Sequence, residues 1–542
     1  MRLFIAEKPE LAQAIADGLG GGKKNEKDGY HDCGDDCVTW CFGHMLRLCE
    51  PHEYDKKYAE WNLADVPFSF IPWRKAPNDK CDEDDERSKK FVEHRLKQLD
   101  NVLALIKKAD SFVHAGDPDA EGQLLIDEIL QYAENKKPVK RVLINDNTPA
   151  LVKKSLANLR DNAEFAGMSA AALARQVGDQ FYGFNLSRLY TLTAKQAGYA
   201  GGTLSVGRVQ TPILGLVVRR DRENAAHKLA FYYTVAGNFT VDNLAFPATY
   251  QVADNDAKDE KGRLTDEAQA NAIAAEVSGA SAQIRETKTA EKQKPAALPY
   301  NLLKLQTDAA RLYKMKPREV KSITQDLREK HHLITYNRSD CQYLSEEQHA
   351  DAPEVLAAIS ATNPDLAGAV AGADAKIKGR VFDSAKITAH HAIIPTISTA
   401  NFNNLSTDEQ KIYALIARAY VAQFYPPYRY EQTTVELDVG DRNFRCVTHV
   451  PVAAGWKSLF TETDSDAKEK DDEANDDGDC NLSLKELRDG QAGQCISAAA
   501  TKSETQPKRL YAMATLLTDL TKVAQYIKDE RIRKLLIQHF AR

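Results

Sequence analysis

Within the first 150 residues, short apolar runs alternate with helix-patterned stretches, and this alternation narrows the fold more than any other feature of the chain. Leu3–Ala6 reads as a strand; past Glu7-Lys8-Pro9 a helix pattern runs over Glu10–Leu19. Val38–Phe42 is a second strand. Residues 79–92 begin polar and run into a helix that continues through Ile106. Ser111–Ala115 is a buried strand that stops at Gly116-Asp117-Pro118-Asp119, a helix follows over Glu121–Tyr132, and Arg141–Ile144 is a strand again. Strands alternating with helices predict a doubly wound α/β domain over residues 1–150.

The chain has 542 residues, too many for one hydrophobic core, so several domains are expected. Residues 151–228 read mainly as helices rich in Ala, Leu and Arg, the first part of a helical domain. Residues 229–285 and 401–500 carry β-patterned stretches and predict one β-rich arch domain. A mostly helical insert, 286–400, interrupts it, and 501–542 return to the helical domain. The expected class is therefore multidomain, α/β plus α plus β. No apolar run approaches the roughly 20 residues of a membrane helix. The N-terminus shows no signal-peptide pattern, so a cytoplasmic protein with reduced thiols is expected. Cys33, Cys37 and Cys41 are spaced by four with no C-x-x-C pair, and Cys37–Cys41 reads as a strand. Buried small side chains explain them better than a zinc site.

A formal net charge of −6 argues against a nucleic-acid binder until its distribution is considered. Residues 461–479 hold ten Asp/Glu and two Lys, the pattern of a disordered surface loop. Without that segment the remainder carries +2. Between Lys304 and Arg338, nine Lys/Arg face four Asp/Glu. Screening limits each field to about 8–10 Å, so local charge decides phosphate binding.

In open α/β sheets, ligands sit at the carboxyl ends of strands. Glu7 lies just past one strand, and Asp117, Asp119 and Glu121 lie just past another. Crowded carboxylates hold a hard cation or keep one carboxyl protonated as a general acid; a helix-capping turn is the bland alternative. Further along, Leu333-Ile334-Thr335-Tyr336-Asn337-Arg338-Ser339-Asp340-Cys341 places a phenol two residues from a guanidinium. A phenolate can form a phosphotyrosine ester, and an arginine can hold the non-bridging phosphate oxygens.

Phe4-Ile5-Ala6-Glu7-Lys8-Pro9 and His114-Ala115-Gly116-Asp117-Pro118-Asp119-Ala120-Glu121-Gly122-Gln123 together resemble the TOPRIM domain. The tyrosine segment resembles the active-site motif of type IA DNA topoisomerases, with bacterial topoisomerase III the nearest branch. Two departures stand out: Ala120 where that family usually has Arg, and Asn337 where it usually has Pro. Leu204-Ser205-Val206-Gly207-Arg208-Val209-Gln210-Thr211-Pro212 is similar to the family's DNA-contacting segment. Ala389-His390-His391-Ala392-Ile393-Ile394-Pro395-Thr396 is similar to its histidine motif.

The resemblance implies a toroidal architecture and an ATP-independent enzyme that cuts single-stranded DNA, passes another strand and rejoins, relaxing negative supercoils and decatenating. It implies Tyr336 as nucleophile joined to the 5′ phosphate, Glu7 as proton donor to the 3′ oxygen, and Lys8 and Arg338 on the phosphate. Mg²⁺ would sit on Glu7, Asp117, Asp119 and Glu121. DNA contacts are implied for Ser205, Val206, Gly207, Arg208, Val209, Gln210, Arg338 and His390, for Trp61 by base stacking, and for Arg175 and Arg188 on the backbone. Partners are single-stranded and negatively supercoiled DNA, with no membrane and no ATP; no G-x-x-x-x-G-K-[ST] occurs. A monomer, associated with nucleoid or plasmid, is expected, with gating hinges near residues 285 and 400. Family members continue past a helix like Ile527–Gln538, whereas this sequence stops at Arg542. A DNA-binding remnant with weak or no turnover is therefore the alternative expectation. A TOPRIM primase or nuclease would lack the tyrosine motif. A scaffold using the acidic loop would depend on 461–479.

Overall fold

The computed structural model describes residues 1–25, 28–81, 86–145, 149–387, 390–460 and 482–540. The acidic segment 461–479 lies outside the described residues. The N-terminal strands are β1 (Arg2–Ala6), β2 (Lys23–Asn25), β3 (Tyr30–Cys33), β4 (Asp36–Trp40), β5 (Leu46–Leu48), β6 (Lys75–Pro77), β7 (Ser111–Ala115), β8 (Val139–Arg141) and β9 (Arg160–Asp161). Seven of them form one sheet in the order β2-β3-β4-β1-β7-β8-β9. Its centre is parallel, with Ala6 level with Trp40 on one side and Ala115 on the other. That register brings the ends of β1 and β7 together and sets Glu7 beside the Gly116-Asp117 turn. Both faces are covered: Leu3, Ile5, Leu99 and Ile129 pack on one, and Phe4, Ile15, Val38 and Val142 on the other. Cys37 and Cys41 are buried in these layers, and burial pushes the Cys37 thiol up to about 12, which disfavours the thiolate a metal needs.

Two long helices, Ala166–Gln196 and Gln210–Ala225, lead away from the sheet. Next come β10 (Phe231–Val241), β11 (Leu244–Tyr250), β12 (Ser281–Lys294), β13 (Tyr428–Val439), β14 (Arg442–Ala453) and β15 (Ala492–Glu504), which close into a barrel in the order β10-β11-β14-β13-β12-β15. Closure is local, since β12 meets β15 only over Ser281–Gln283 and β11 meets β14 only at Thr249 and Tyr250. Val235, Phe239, Phe444, Leu437 and Ile284 fill its interior.

The helical insert emerges between β12 and β13, as the pattern predicts, but it is larger than 286–400. Helix Thr407–Val421 buries Ile412, Tyr413, Ile416 and Tyr420 in the same core as Leu305, Leu327 and Ile334. Residue 285 sits at a break of register in β12, between Ile284 and Glu286, beyond which β12 stays paired with β13 out to Lys294 and Tyr428; position 400 lies within the insert's own body. From Lys288 onward β12 is largely exposed, and together with β13 and β14, paired out to Arg429 and Ala453, it extends beyond the barrel core.

The final described segment reaches back to the long helices, where Arg220 meets Tyr511 and Asp519. Its helix Met513–Thr521 also lies against helix Leu302–Tyr313 of the insert. Among the described residues no helix is long and apolar enough to cross a membrane.

Candidate active site

The site forms where the carboxyl end of the parallel sheet meets the helical insert. Asp119 caps helix Ala120–Tyr132, with Oδ1 accepting the Gly122 amide at 2.6 Å. Glu7 Oε2 accepts the Asp117 amide at 2.9 Å, tying the first acid to the second loop. The loop is compact enough to require glycine: a Cβ on Gly122 would lie 2.4 Å from the Asp117 carbonyl oxygen and 2.8 Å from Glu7 Oε2. Beneath it lies Arg141, fully buried. Its fork donates to Gln123 Oε1 at 2.8 Å and to the carbonyls of Gly116 and Asp117, both at 2.9 Å. His114 is buried beside it, with Nε2 on the Gln123 carbonyl at 2.9 Å and Nδ1 accepting from the Gly116 amide. Burial, then the Arg141 charge, holds this imidazole neutral.

From the opposite side, Thr335 and Ile394 exchange hydrogen bonds, which aligns the Tyr336 segment with the histidine segment. Asn337 is buried and donates to Thr324 Oγ1 at 3.2 Å, so the residue standing in place of proline anchors this turn to helix Pro317–Glu329. Tyr336 is 1% exposed, its ring stacks on His390 with centroids 5.0 Å apart, and its hydroxyl donates to Asp119 Oδ2. Arg338 donates to Asp117 Oδ2 at 2.5 Å and to Glu7 Oε1 at 3.3 Å. Lys8 Nζ lies 3.2 Å from Asp117 and 3.0 Å from Glu329. The structure thus gathers Glu7, Lys8, Asp117, Asp119, Tyr336, Arg338 and His390 at one point.

Electrostatics differentiate the acids. Burial and then the Asp117 charge push Glu7 above the usual carboxylate range. Asp117 is buried too, which opposes its ionisation, but Arg328, Lys8 and Arg338 outweigh that and hold it well below the range. Burial, Asp117 and Asp119 raise Tyr336 far above a free phenol. One carboxyl is thereby biased towards the acid form beside a second that stays ionised, the division of labour that acid–base chemistry needs.

Glu121 turns outward, 41% exposed, to His44 at 3.4 Å and Arg175 at 3.0 Å. Burial works against the His44 charge, but hydrogen bonds to Glu121 and Glu128 overcome it and bring the pKa up to about 9. A raised histidine pKa contributes stability below 6.5, its ordinary value, and that contribution disappears as pH rises towards 9. His44→Gln is therefore expected to flatten the fall of melting temperature between pH 6.5 and 9. The term is on the order of 1–2 kcal/mol after allowance for solvent screening. Parallel melting curves for the two proteins across that window would rule this out.

The remaining predicted contacts diverge. Arg208 pairs with Asp179 at 2.6 Å on an exposed surface, and Val209 is exposed. Gln210 donates to Ser205 Oγ, the Val206 amide to Ser187 Oγ, and the Gly207 amide to Thr211 Oγ1. Trp61 is 38% exposed rather than a core residue. Arg188 is 5% exposed, packed against the Trp61 and Phe68 rings, and donates from one Nη to the Tyr58 carbonyl at 2.9 Å, while its Nε and other Nη have no hydrogen-bond partner among the described residues. Arg175 is committed to Glu121. Sequence reasoning missed Arg328, Arg141 and His44, whose partners lie on other elements.

The family model for DNA topoisomerase matches residues 163–524, and that for the Toprim domain matches residues 2–147. The chain belongs to the type IA DNA topoisomerase family. Members of this family cleave a single DNA strand and pass another through the break. "DNA topoisomerase 3" of Vibrio cholerae serotype O1 is 38% identical over 545 residues, covering 99% of this chain and 80% of that relative. "DNA topoisomerase 3" of Salmonella typhimurium is 38% identical over 546 residues with the same coverage. Full-length topoisomerase I of Thermotoga maritima shares the fold, with TM-score 0.61 and 20% identity over 99% of this chain and 77% of that one. The Toprim match identifies a divalent-metal-binding domain. Its acids supply the hard oxygen donors such a cation takes. Among the described residues no three donors are already gathered into a chelating group. Asp117 is held by Lys8 and Arg338, Asp119 by Tyr336, and Glu121 by His44 and Arg175.

Proposed function

We propose that Tyr336 is the nucleophile of this topoisomerase and that cleavage leaves it joined to the 5′ phosphate. The observation that carries the reading is the buried Tyr336 hydroxyl donating to Asp119, with Arg338 and Lys8 converging on the adjoining Asp117. Asp119 Oδ2 is the acceptor for the phenol proton. Glu7, biased towards its protonated form, donates to the departing 3′ oxygen. Lys8 and Arg338, freed in part from Asp117, hold the phosphate. His390 carries a buried Nε2 without a hydrogen-bond partner among the described residues, and its Nδ1 faces Asp340 at 3.2 Å; that free nitrogen suits a phosphate oxygen. Glu7, Asp117, Asp119 and Glu121 are the residues that would hold Mg²⁺, which when bound supplies positive charge for rejoining. The ester conserves the bond energy, so strand passage proceeds without ATP.

The preferred substrate is single-stranded or negatively supercoiled DNA, entering between the sheet and the long helices. Arg208 and Gln210 reach the backbone, and Trp61 stacks on a base. The protein acts as a monomer in the cytoplasm, on nucleoid or plasmid DNA.

The test is end-labelled single-stranded DNA incubated with protein and Mg²⁺ and stopped with denaturant. A covalent adduct carrying the 5′-phosphate side supports the reading. Binding without an adduct would sink it and leave a DNA-binding relative without turnover. The same assay probes the loop: Gly122→Ala displaces Asp117 and Glu7 together and is expected to slow adduct formation about 10²-fold, the effect of ångström-scale misplacement. A native rate in that variant would show that the loop tolerates the added methyl.

A further inference from the structure

Helix Pro317–Glu329 ends against the active site, and its last two residues cross to the sheet domain. Glu329 reaches Lys8, while Arg328 turns beneath Tyr336. Arg328 is 3% exposed; its Cζ lies 4.7 Å from the Tyr336 ring centroid, nearer than the 5.5 Å of Arg338. One Nη stands 3.6 Å from Asp117 Oδ1, too far for a hydrogen bond, and Nε has no hydrogen-bond partner among the described residues. An arginine in the last turn of a helix ordinarily serves the helix dipole from the surface. This one is buried with donor capacity to spare, a costly arrangement unless its charge is used. Lys8 and Arg338 are each divided between two carboxylates; Arg328 faces Asp117 alone.

We propose that Arg328 is a positioning residue for strand cleavage: packed on the Tyr336 ring and facing Asp117, it fixes the ring and offsets the charge that develops on the phenol oxygen. This rests on Tyr336 being the nucleophile. In the step concerned, the bond from Tyr336 Oη to phosphorus forms and the bond from phosphorus to the 3′ oxygen breaks. The phenol proton passes to Asp119, and the 3′ oxygen takes a proton from Glu7. Negative charge on Oη rises between two acids; of the two arginines recorded over the ring among the described residues, Arg328 lies nearer its centroid and joins Arg338 in opposing that charge. Cation–π contact also selects the ring orientation that stacks on His390.

The experiment compares native protein, R328A and R328K on a short single-stranded oligonucleotide with Mg²⁺. It separates oligonucleotide affinity from the single-turnover rate of adduct formation. For R328A the expected result is affinity within about threefold of native and a rate lower by about 10²-fold, as for loss of one charge-stabilising donor. R328K should recover at least about tenfold of that loss, and millimolar guanidinium should speed R328A but not native protein. A native rate in folded R328A, or an R328K no faster than R328A, would overturn the proposal. If R328A does not fold, R328K decides: adduct formation within about tenfold of native supports it, and a folded R328K without adduct refutes it. Absence of adduct in native protein would instead refute the assignment of Tyr336, so the two failures are distinguishable.

Discussion

Tyr336→Phe is expected to abolish covalent capture of DNA while leaving DNA affinity within about threefold of native. Phenylalanine keeps the ring that stacks on His390 and lies over Arg328, so the packing of a residue only 1% exposed survives. What disappears is the oxygen, and with it the bond to Asp119. Removing a nucleophile that acts as a unit with its acid and its cations costs on the order of 10⁵–10⁶-fold. Folding stability should hardly move, because Asp119 remains satisfied as a helix cap through the Gly122 amide. Adduct formation by the phenylalanine variant, followed by peptide mapping to another residue, would remove Tyr336 from the mechanism.

Arg141→Met should be the most destabilising single change in the sheet domain, by about 3–5 kcal/mol. The methionine fills the volume but leaves the carbonyl oxygens of Gly116 and Asp117 and the Gln123 amide oxygen buried without their donor. Burial lowers Arg141 to about 10, so it remains charged at neutral pH and its hydrogen bonds keep their ionic strength. Arg141→Lys should rescue only part of this, because a single ammonium cannot match a planar fork spread over several acceptors. Hydrogen exchange at Ser111–Ala115 is the direct reading, since multidomain proteins seldom melt in one step. Unchanged protection there would show that the loop above Arg141 holds itself.

Much of the site was readable because its chemistry is local. Glu7 follows a strand directly, Asp117 and Asp119 follow another, and Tyr336 and Arg338 are two residues apart, so short strings were enough to name them. The barrel interrupted by a helical insert was readable from two β-patterned stretches. Its boundary was not: helix Thr407–Val421 has the same amphipathic character whichever domain it joins, and only its burial against Leu327 and Ile334 decides. Arg328 was missed for a related reason. In the sequence it is one of nine basic residues between Lys304 and Arg338; its contact with Asp117 spans two domains. The burial of Arg188 was equally invisible, since a helical arginine reads as a surface residue until the Trp61 and Phe68 rings around it are seen.

The paired ends of β12 and β13 have a mechanical consequence. Both covalent connections to the tyrosine-bearing body leave the barrel side by side, hydrogen-bonded to each other through Lys294 and Tyr428. A single tether would let that body tumble, and two separated ones would clamp it. The stem they form is broadened by β14, which stays paired with β13 out to Arg429 and Ala453. The body is therefore carried on a stem of paired strands, and any excursion that took Tyr336 and Arg338 away from Asp119 and Asp117 would have to deform that stem and part the contact of helix Met513–Thr521 with helix Leu302–Tyr313. A broken strand end travelling with Tyr336 would stay tied through that stem to the side it left.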